Sequence, residues 1–460
     1  MRNEKWDDMC VTSGGEKMVT GTEFTGRGPP EIVGNASERH VGVGENRIPA
    51  LAQELIDAII DEVGARKWRD PKDYATLTAC SLTARAFVAP SQRNLAQSLT
   101  LSTGTINSLS SALAGSPHLV PYVRDLHLAL LFPNTSVHDL LTLLLPHLTR
   151  VRRLVKSSEI NERWNWDAFP ANFRSAVVAL FSLPSLRCVA LHACNGVPSS
   201  IIRHILLSCE QVYLSSVGIE HEDAVFPQAE DSVASSVPLE YLALAYEPET
   251  DVALHALILG DEVAHRLEGI RELRLAPLPG PLDGLETIAL KCSDSLEHLI
   301  IDFGICKELG SWGSMMYREP LVLPHIPGLR ALTLEASPDK LQISDAGFTL
   351  LASLQTCAPN IENLTIRLFE LPSHHDEFFG PPGHHDFTPR ADVDQALKSH
   401  AQLQEVHFDT SSRSSKYSDI EFESAMQHKL PLASAAGLLT FINNYDCIYP
   451  MALAMAVFPN

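Results

Sequence analysis

Two triplets, His374-His375-Asp376 and His384-His385-Asp386, sit ten residues apart around Gly380-Pro381-Pro382-Gly383. Imidazoles and carboxylates are the ligands that zinc or a similar divalent ion takes, and the turn residues could fold the triplets together. Histidine-rich tracts are also common in solvated insertions, so the reading adopted is an inert loop with no metal and no cofactor. Other chemistry has less support. The chain contains no G-x-x-x-x-G-K-[ST] loop, H-E-x-x-H helix or G-x-S-x-G elbow, and Gly42-Val43-Gly44 lies in a glycine-rich stretch that cannot cradle a phosphate. A catalytic role is therefore not expected. Trp164 and Trp166 are of the type that anchors binding hot spots, but packing over an edge of the fold is their expected role.

If the chain does no chemistry of its own, the elements and their surfaces must carry the function. Over 460 residues, 35 Lys and Arg stand against 56 Asp and Glu, a formal charge of −21. That balance argues against nucleic acid as a general partner, because phosphate contacts need a basic footprint. The nine cysteines are odd in number and form no C-x-x-C pair, which fits reduced, buried thiols better than a disulfide framework. No run approaches the ~20 apolar residues of a membrane span, and Trp6, Asp7 and Asp8 stand where a signal peptide would need an apolar core. The expectation is a cytoplasmic or nuclear protein with no membrane partner.

Residues 1–47 carry eight glycines and no apolar periodicity, and read as a disordered leader. From Pro49 the pattern changes. Leu51, Leu55 and Ile59 form one apolar row and Ile56, Ile60 and Val63 a second, giving one helix a wide apolar face that Gly64 is expected to end. Two further short helices follow, one with Tyr74, Leu77, Cys80 and Leu82, the next with Phe87, Val88 and Leu95. Three such helices cannot bury faces this wide among themselves, so part of that surface should belong to a partner.

A different signal then recurs. The template apolar-x-x-apolar-x-apolar appears at Val123, Leu186, Cys209, Leu239, Ile270, Leu296, Leu329, Ile361 and Leu403 as first residues, with a partial copy at Val151/Leu154. The mean period is roughly 31 residues, just beyond the leucine-rich-repeat range. Several copies follow an apolar segment and a turn, as in Leu350 to Leu354 before Cys357-Ala358-Pro359-Asn360. Helix, tight turn and short strand make one unit whose open face the next copy buries. Unequal intervals place insertions at 158–170, 221–236, 303–322 and 371–393.

The segment Leu51-Ala52-Gln53-Glu54-Leu55-Ile56-Asp57-Ala58-Ile59-Ile60-Asp61-Glu62-Val63, with Leu77-Thr78-Ala79-Cys80-Ser81-Leu82 and Ala84-Arg85-Ala86-Phe87, resembles the F-box motif. Leu95-Ala96-Gln97-Ser98-Leu99-Thr100-Leu101 looks like its exit into a first strand, and the chain as a whole is similar to fungal F-box proteins with degenerate leucine-rich repeats. Ala52, Phe87 and Ala96 depart from the family's usual proline, tryptophan and larger aromatic, each with less volume to pack. The resemblance implies an α/β fold: an F-box-like helical module at 48–101 after the 1–47 leader, a leucine-rich-repeat-like solenoid of parallel strands and helices at 102–410, and a C-terminal cap and tail at 411–460. It also implies the substrate receptor of a cullin-RING ubiquitin ligase, binding a Skp-family adaptor and through it a cullin. The alternative is a ligase-independent scaffold that binds proteins through its repeats and keeps a degenerate F-box as a cap.

Two surfaces follow. Adaptor contacts are expected from Leu51, Leu55, Ile56, Ile59, Ile60, Leu77, Leu82 and Phe87. Strand alternation sends the template's apolar residues to the core and those between them to the opposite face. That row contains Asp125, Glu272, Arg274, His298, Asp302, Glu335, Arg367, Glu405, His407 and Asp409. Its acidic excess suggests an exposed surface for a basic target segment.

Overall fold

The computed structural model describes residues 52–66, 71–103, 105–129, 135–157, 164–220, 237–245, 251–276, 283–302, 323–336, 345–368, 391–409 and 419–442. By its contacts the chain divides at Leu51/Ala52, and every described residue lies in the second unit. The 1–47 leader, Leu51, the His374/His375/His384/His385 loop, the 221–236 and 303–322 insertions and the apolar tail fall outside the described residues.

Three helices come first: α1 (Gln53–Arg66), α2 (Pro71–Thr83) and α3 (Arg85–Ala96). Gly64 does not end α1. It lies inside the helix, where a side chain would overlap that of buried Asn94 on α3. Its missing Cβ lets Asp61 one turn earlier accept from Asn94 Nδ2 at 2.7 Å and from Arg93 Nη2 at 2.7 Å. Gln53 Nε2 donates to the Ala86 carbonyl at 2.9 Å and ties the other end of α1 to α3. The small core between the helices is Ile56, Ile60 and Leu77, with Val63, Cys80, Ala86, Phe87 and Leu95 packed against it.

α3 leads directly into β1 (Ser98–Ser102), the first strand of a thirteen-stranded parallel sheet among the described residues. The others are β2 (Asp125–Ala129), β3 (Arg153–Ser157), β4 (Trp164–Asn165), β5 (Cys188–Pro198), β6 (Gln211–Glu220), β7 (Tyr241–Ala245), β8 (Glu272–Ala276), β9 (His298–Asp302), β10 (Ala331–Ala336), β11 (Asn363–Leu368), β12 (Glu405–Asp409) and β13 (Leu439–Ile442). Strands neighbour one another in chain order, except that β4 pairs only with β5, so each crossover returns to the adjacent position. This is an α/β solenoid topology. Every full copy of the apolar template runs into a strand, its second and third slots lying within it, and the parallel ladder continues into β13, past residue 410.

Register makes the core continuous. Leu126, Leu154, Val189, Val212, Leu242, Leu273, Leu299, Leu332, Leu364 and Val406 lie side by side across ten strands. All are buried in one cluster with the helices' apolar residues, Phe173 and Val177 of the helix Ala171–Phe181 and Ile202 and Ile205 of the helix Ser199–Ser208 among them. The helices thus cover the leucine face. Burying each such side chain contributes about 1.5–3 kcal/mol, which is what closes one repeat on the next.

The second core row has one exception. Lys156 occupies the position that Leu128 and Leu191 hold in the flanking strands, yet it is 1% exposed. Its ammonium donates to the His192 carbonyl at 3.2 Å and lies 5.0 Å from the centre of the Trp164 ring. Burial lowers the pKa of this amine. Ala193 and Ser216 adopt positive φ, 52° and 54°, at matching points of β5 and β6, and the bend at Ala193 lies beside the carbonyl that Lys156 uses.

Part of the insertion at 158–170 is therefore structured. Trp164 and Trp166 are buried, and Trp164, Phe169, Phe173 and His138 form an aromatic cluster in which His138 stacks on Phe173 at 4.8 Å. The tryptophans serve packing and offer no free hot spot. At the far end Phe408, Phe422 and Phe441 pack together, and Asp394 accepts from the backbone N–H groups of Leu432 and Ala433, both at 2.9 Å, seating the last helix.

The residue before each strand forms a second ladder. Carbonyls of Gln97, Arg124, Arg152, Arg187, Glu210, Glu240, Arg271, Glu297, Arg330 and Glu362 each accept two N–H groups from the next repeat. Their side chains therefore stand in a row at one edge of the sheet.

Burial sets a pH dependence. His127, His138, His204 and His255 are all held below the ordinary histidine pKa, desolvation being the first cause in each. Nearby Asp139 partly opposes it at His138, whose Nδ1 is buried without a hydrogen-bond partner among the described residues. A histidine with a depressed folded pKa binds fewer protons folded than unfolded, so stability is intact above about pH 6.5 and declines as pH falls below it. Urea midpoints are expected to hold steady from about pH 8 to 7 and to drop between about 6.5 and 5. His138→Phe should flatten that drop; an unchanged slope would show that the other histidines carry it.

Candidate protein-interaction surfaces

Seven large apolar side chains are conspicuously exposed among the described residues, and four of them belong to α1 and α2: Leu55 (50%), Ile59 (51%), Tyr74 and Leu82 (83%). The other three are scattered, so the concentration on the helical module is the feature to explain. Leu55 and Ile59 are one turn apart on a single face, with exposed Ala52 and Ala58 beside them. The adjoining row, about 100° around the helix, faces inward: Ile56 (7%), Ile60 (2%) and, on α2, Leu77 (0%) form the module's own core.

This divides the residues expected to meet a partner. Leu55, Ile59 and Leu82 are open to one. Ile56, Ile60 and Leu77 are not, because α2 and α3 already cover them, and Phe87 is half-buried against the same core. Two rows of equal apolarity on α1 thus have different roles, one holding the helices together and one left uncovered.

The expected target row departs further from its reading. Asp302 (4%), Glu335 (1%) and Asp409 (8%) are buried, and Asp125, Glu272, Arg274, His298, Arg367 and His407 are half-buried; only Glu405 is exposed. Register places Asp302, Glu335, Arg367 and Asp409 side by side on β9 to β12, close enough for long side chains to reach sideways. Arg274 Nη2 donates to Asp302 Oδ2 at 2.7 Å and to Glu335 Oε2 at 2.5 Å. Arg367 donates from Nη1 to Glu335 Oε1 at 2.5 Å and from Nε to Asp409 Oδ2 at 2.9 Å. Glu335 is thus clamped between two guanidiniums, and the charges cover one another rather than face solvent.

Electrostatics within the clamp follow from burial. Desolvation opposes the charge of Arg274, but Glu335 and Asp302 outweigh it and hold the guanidinium above its ordinary pKa. Desolvation likewise raises the Glu335 carboxyl, with Arg274 and Arg367 pulling it back. Around it His298 Nε2 lies 3.0 Å from Thr333 Oγ1, and His407 Nε2 lies 2.8 Å from Glu405 Oε2. Toward β3 the same face turns apolar: Val155, Cys188, Ala190, Tyr213, Tyr241 and Ala243 form a second buried cluster.

The six described cysteines are free thiols, and burial pushes Cys194 and Cys209 up to about 11 and Cys292 to about 12, far from a reactive thiolate. Among the described residues no group of three or more His, Cys, Asp or Glu could hold a metal ion, and no helix is long and apolar enough to cross a membrane. The chain matches no family model and no curated protein.

Proposed function

We propose that this chain is a substrate-recognition subunit of a cullin-RING ubiquitin ligase, its helical module docking a Skp-family adaptor and its repeats holding the protein to be modified. The observation that carries the reading is the exposed Leu55/Ile59 face on a module whose own core is already complete, together with Tyr74 and Leu82 on the next helix. An apolar face left over after a module has packed is what a partner helix buries. The chain itself makes no bonds in this reading. It raises the effective concentration of a target lysine near the ubiquitin-charged enzyme, turning a bimolecular encounter into a nearly intramolecular one.

Target binding falls to the sheet face away from the helices. The ion-pair ladder there is internally compensated, so exposed Glu405 is the carboxylate left to meet a basic segment, at the β12 end. A second reading is favoured by one observation: α3 runs straight into β1, so the module could act solely as the N-terminal cap of a ligase-independent scaffold. Affinity capture of the full chain from cells, with blotting for the adaptor and a cullin, separates the two. Both proteins are expected in the eluate; a chain that is captured folded and repeatedly without them is a scaffold.

A further inference from the structure

A cleft of about 710 Å³ opens between the helical module and the first strands, lined by Arg93, Arg124, Arg152 and Arg153 with Asp61 and Asp125 as its two carboxylates. Four cations against two anions leave a formal local excess of +2, in a chain whose total is −21. The carbonyl ladder at the sheet edge explains why the excess sits here. Elsewhere along that ladder every arginine has a glutamate neighbour: Arg187 pairs with Glu210 at 3.1 Å, and Arg330 with Glu362. Arg124 and Arg152 break the alternation, following each other in the ladder between Gln97 and a third arginine, Arg187, with their backbones at the roughly 4.8 Å spacing of adjacent strands.

Like charges held that close destabilise one another unless an anion lies between them. Arg124 is held below its ordinary pKa, first by burial and then by Arg152 and Arg150. The hydrogen bond its Nη1 makes is to a neutral carbonyl, that of Arg150, at 3.1 Å, and among the described residues no ion pair joins it to a carboxylate. Arg93, by contrast, is neutralised by Asp61 at 2.7 Å and marks the wall contributed by the module.

We infer that this cleft binds a small solute carrying several phosphate groups, held by the forks of Arg124 and Arg152. Planar guanidiniums match phosphate oxygens two at a time, and two neighbouring forks call for a ligand with more than one charged centre. The enclosing walls come from α1, α3 and the starts of β2 and β3, so the solute would also tie the module to the first repeats.

The test uses the full chain and sodium tripolyphosphate as probe, by titration calorimetry at low ionic strength and by thermal melting. One-to-one binding is expected, with a raised melting temperature. Loss of one charged fork in Arg152→Gln should weaken binding by about tenfold or more. Arg152→Lys keeps the charge without the fork and should fall between the two, while Arg187→Gln, next in the ladder but paired with Glu210, should bind within about twofold of the parent. Circular dichroism confirms that each variant is folded. The proposal is overturned if tripolyphosphate gives no heat, if Arg152→Gln and Arg187→Gln bind alike, or if sulfate at matched ionic strength raises the melting temperature as much.

Discussion

Glu335→Ala is expected to lower the unfolding free energy by about 3–5 kcal/mol, the range seen when one partner of a buried ion pair is removed and the other stays charged. Glu335 is 1% exposed and accepts from both Arg274 and Arg367, so its loss leaves each of two guanidiniums that cannot release a proton with one carboxylate instead of two, Asp302 for Arg274 and Asp409 for Arg367. The pair Arg330–Glu362, at the starts of the same strands and far more exposed, supplies the comparison: Glu362→Ala should cost less than about 1 kcal/mol. Urea unfolding of both variants reads the difference directly. Equal small losses would mean that the clamp is an ordinary surface pair and that β9 to β12 are held by their leucines alone. The same geometry governs charge reversal. Asp302→Lys and Glu335→Lys would put new cations beside Arg274 and unfold this part of the sheet, so lost target capture in those variants reports folding before it reports recognition.

The second large effect lies on α1. Leu55→Asp combined with Ile59→Asp should abolish adaptor capture, a loss of at least about a hundredfold, because each substitution removes apolar contact and buries an unpaired carboxylate in the interface. Both side chains are half exposed in the free chain, so its melting temperature should stay within a few degrees. Ile60→Asp reverses the pattern. That side chain is 2% exposed between α2 and α3, and a carboxylate there should cost several kcal/mol and loosen the module itself. If the Leu55/Ile59 variant melts like the parent and still captures the adaptor, the uncovered row is not the docking face.

Strand positions were legible because their signal is local. Three apolar slots at fixed offsets mark nine of the strands and two of the slots mark β3, while the edge strands dilute the signal with alanine in the first slot, Ala96 before β1 and Ala436 before β13. Lys156 shows the limit: a long side chain can fill a leucine position if its end finds carbonyls, and nothing in its neighbours announces that. The surfaces were less legible. Alternation says which face a residue takes but not whether a neighbouring strand's side chain reaches across it, so Glu335 reads as exposed when Arg274 and Arg367 cover it. On α1 two apolar rows are equivalent in sequence, and only the positions of Leu77 and Phe87 decide that Ile56 and Ile60 turn inward. The run of arginines was within reach. The residue after the first apolar slot is charged in nearly every repeat, and like charges recur only at Arg124, Arg152 and Arg187 and at Glu210 and Glu240.

The central claim is that the helical module presents a docking face for a Skp-family adaptor. Titration of purified full chain with a recombinant adaptor by calorimetry tests it without other ligase components. The account predicts one-to-one binding at micromolar Kd or tighter, with a negative heat-capacity change from apolar burial, and no binding by the Leu55→Asp/Ile59→Asp variant. Absence of binding at about 100 μM of each folded protein, or equal affinity of parent and variant, would contradict it.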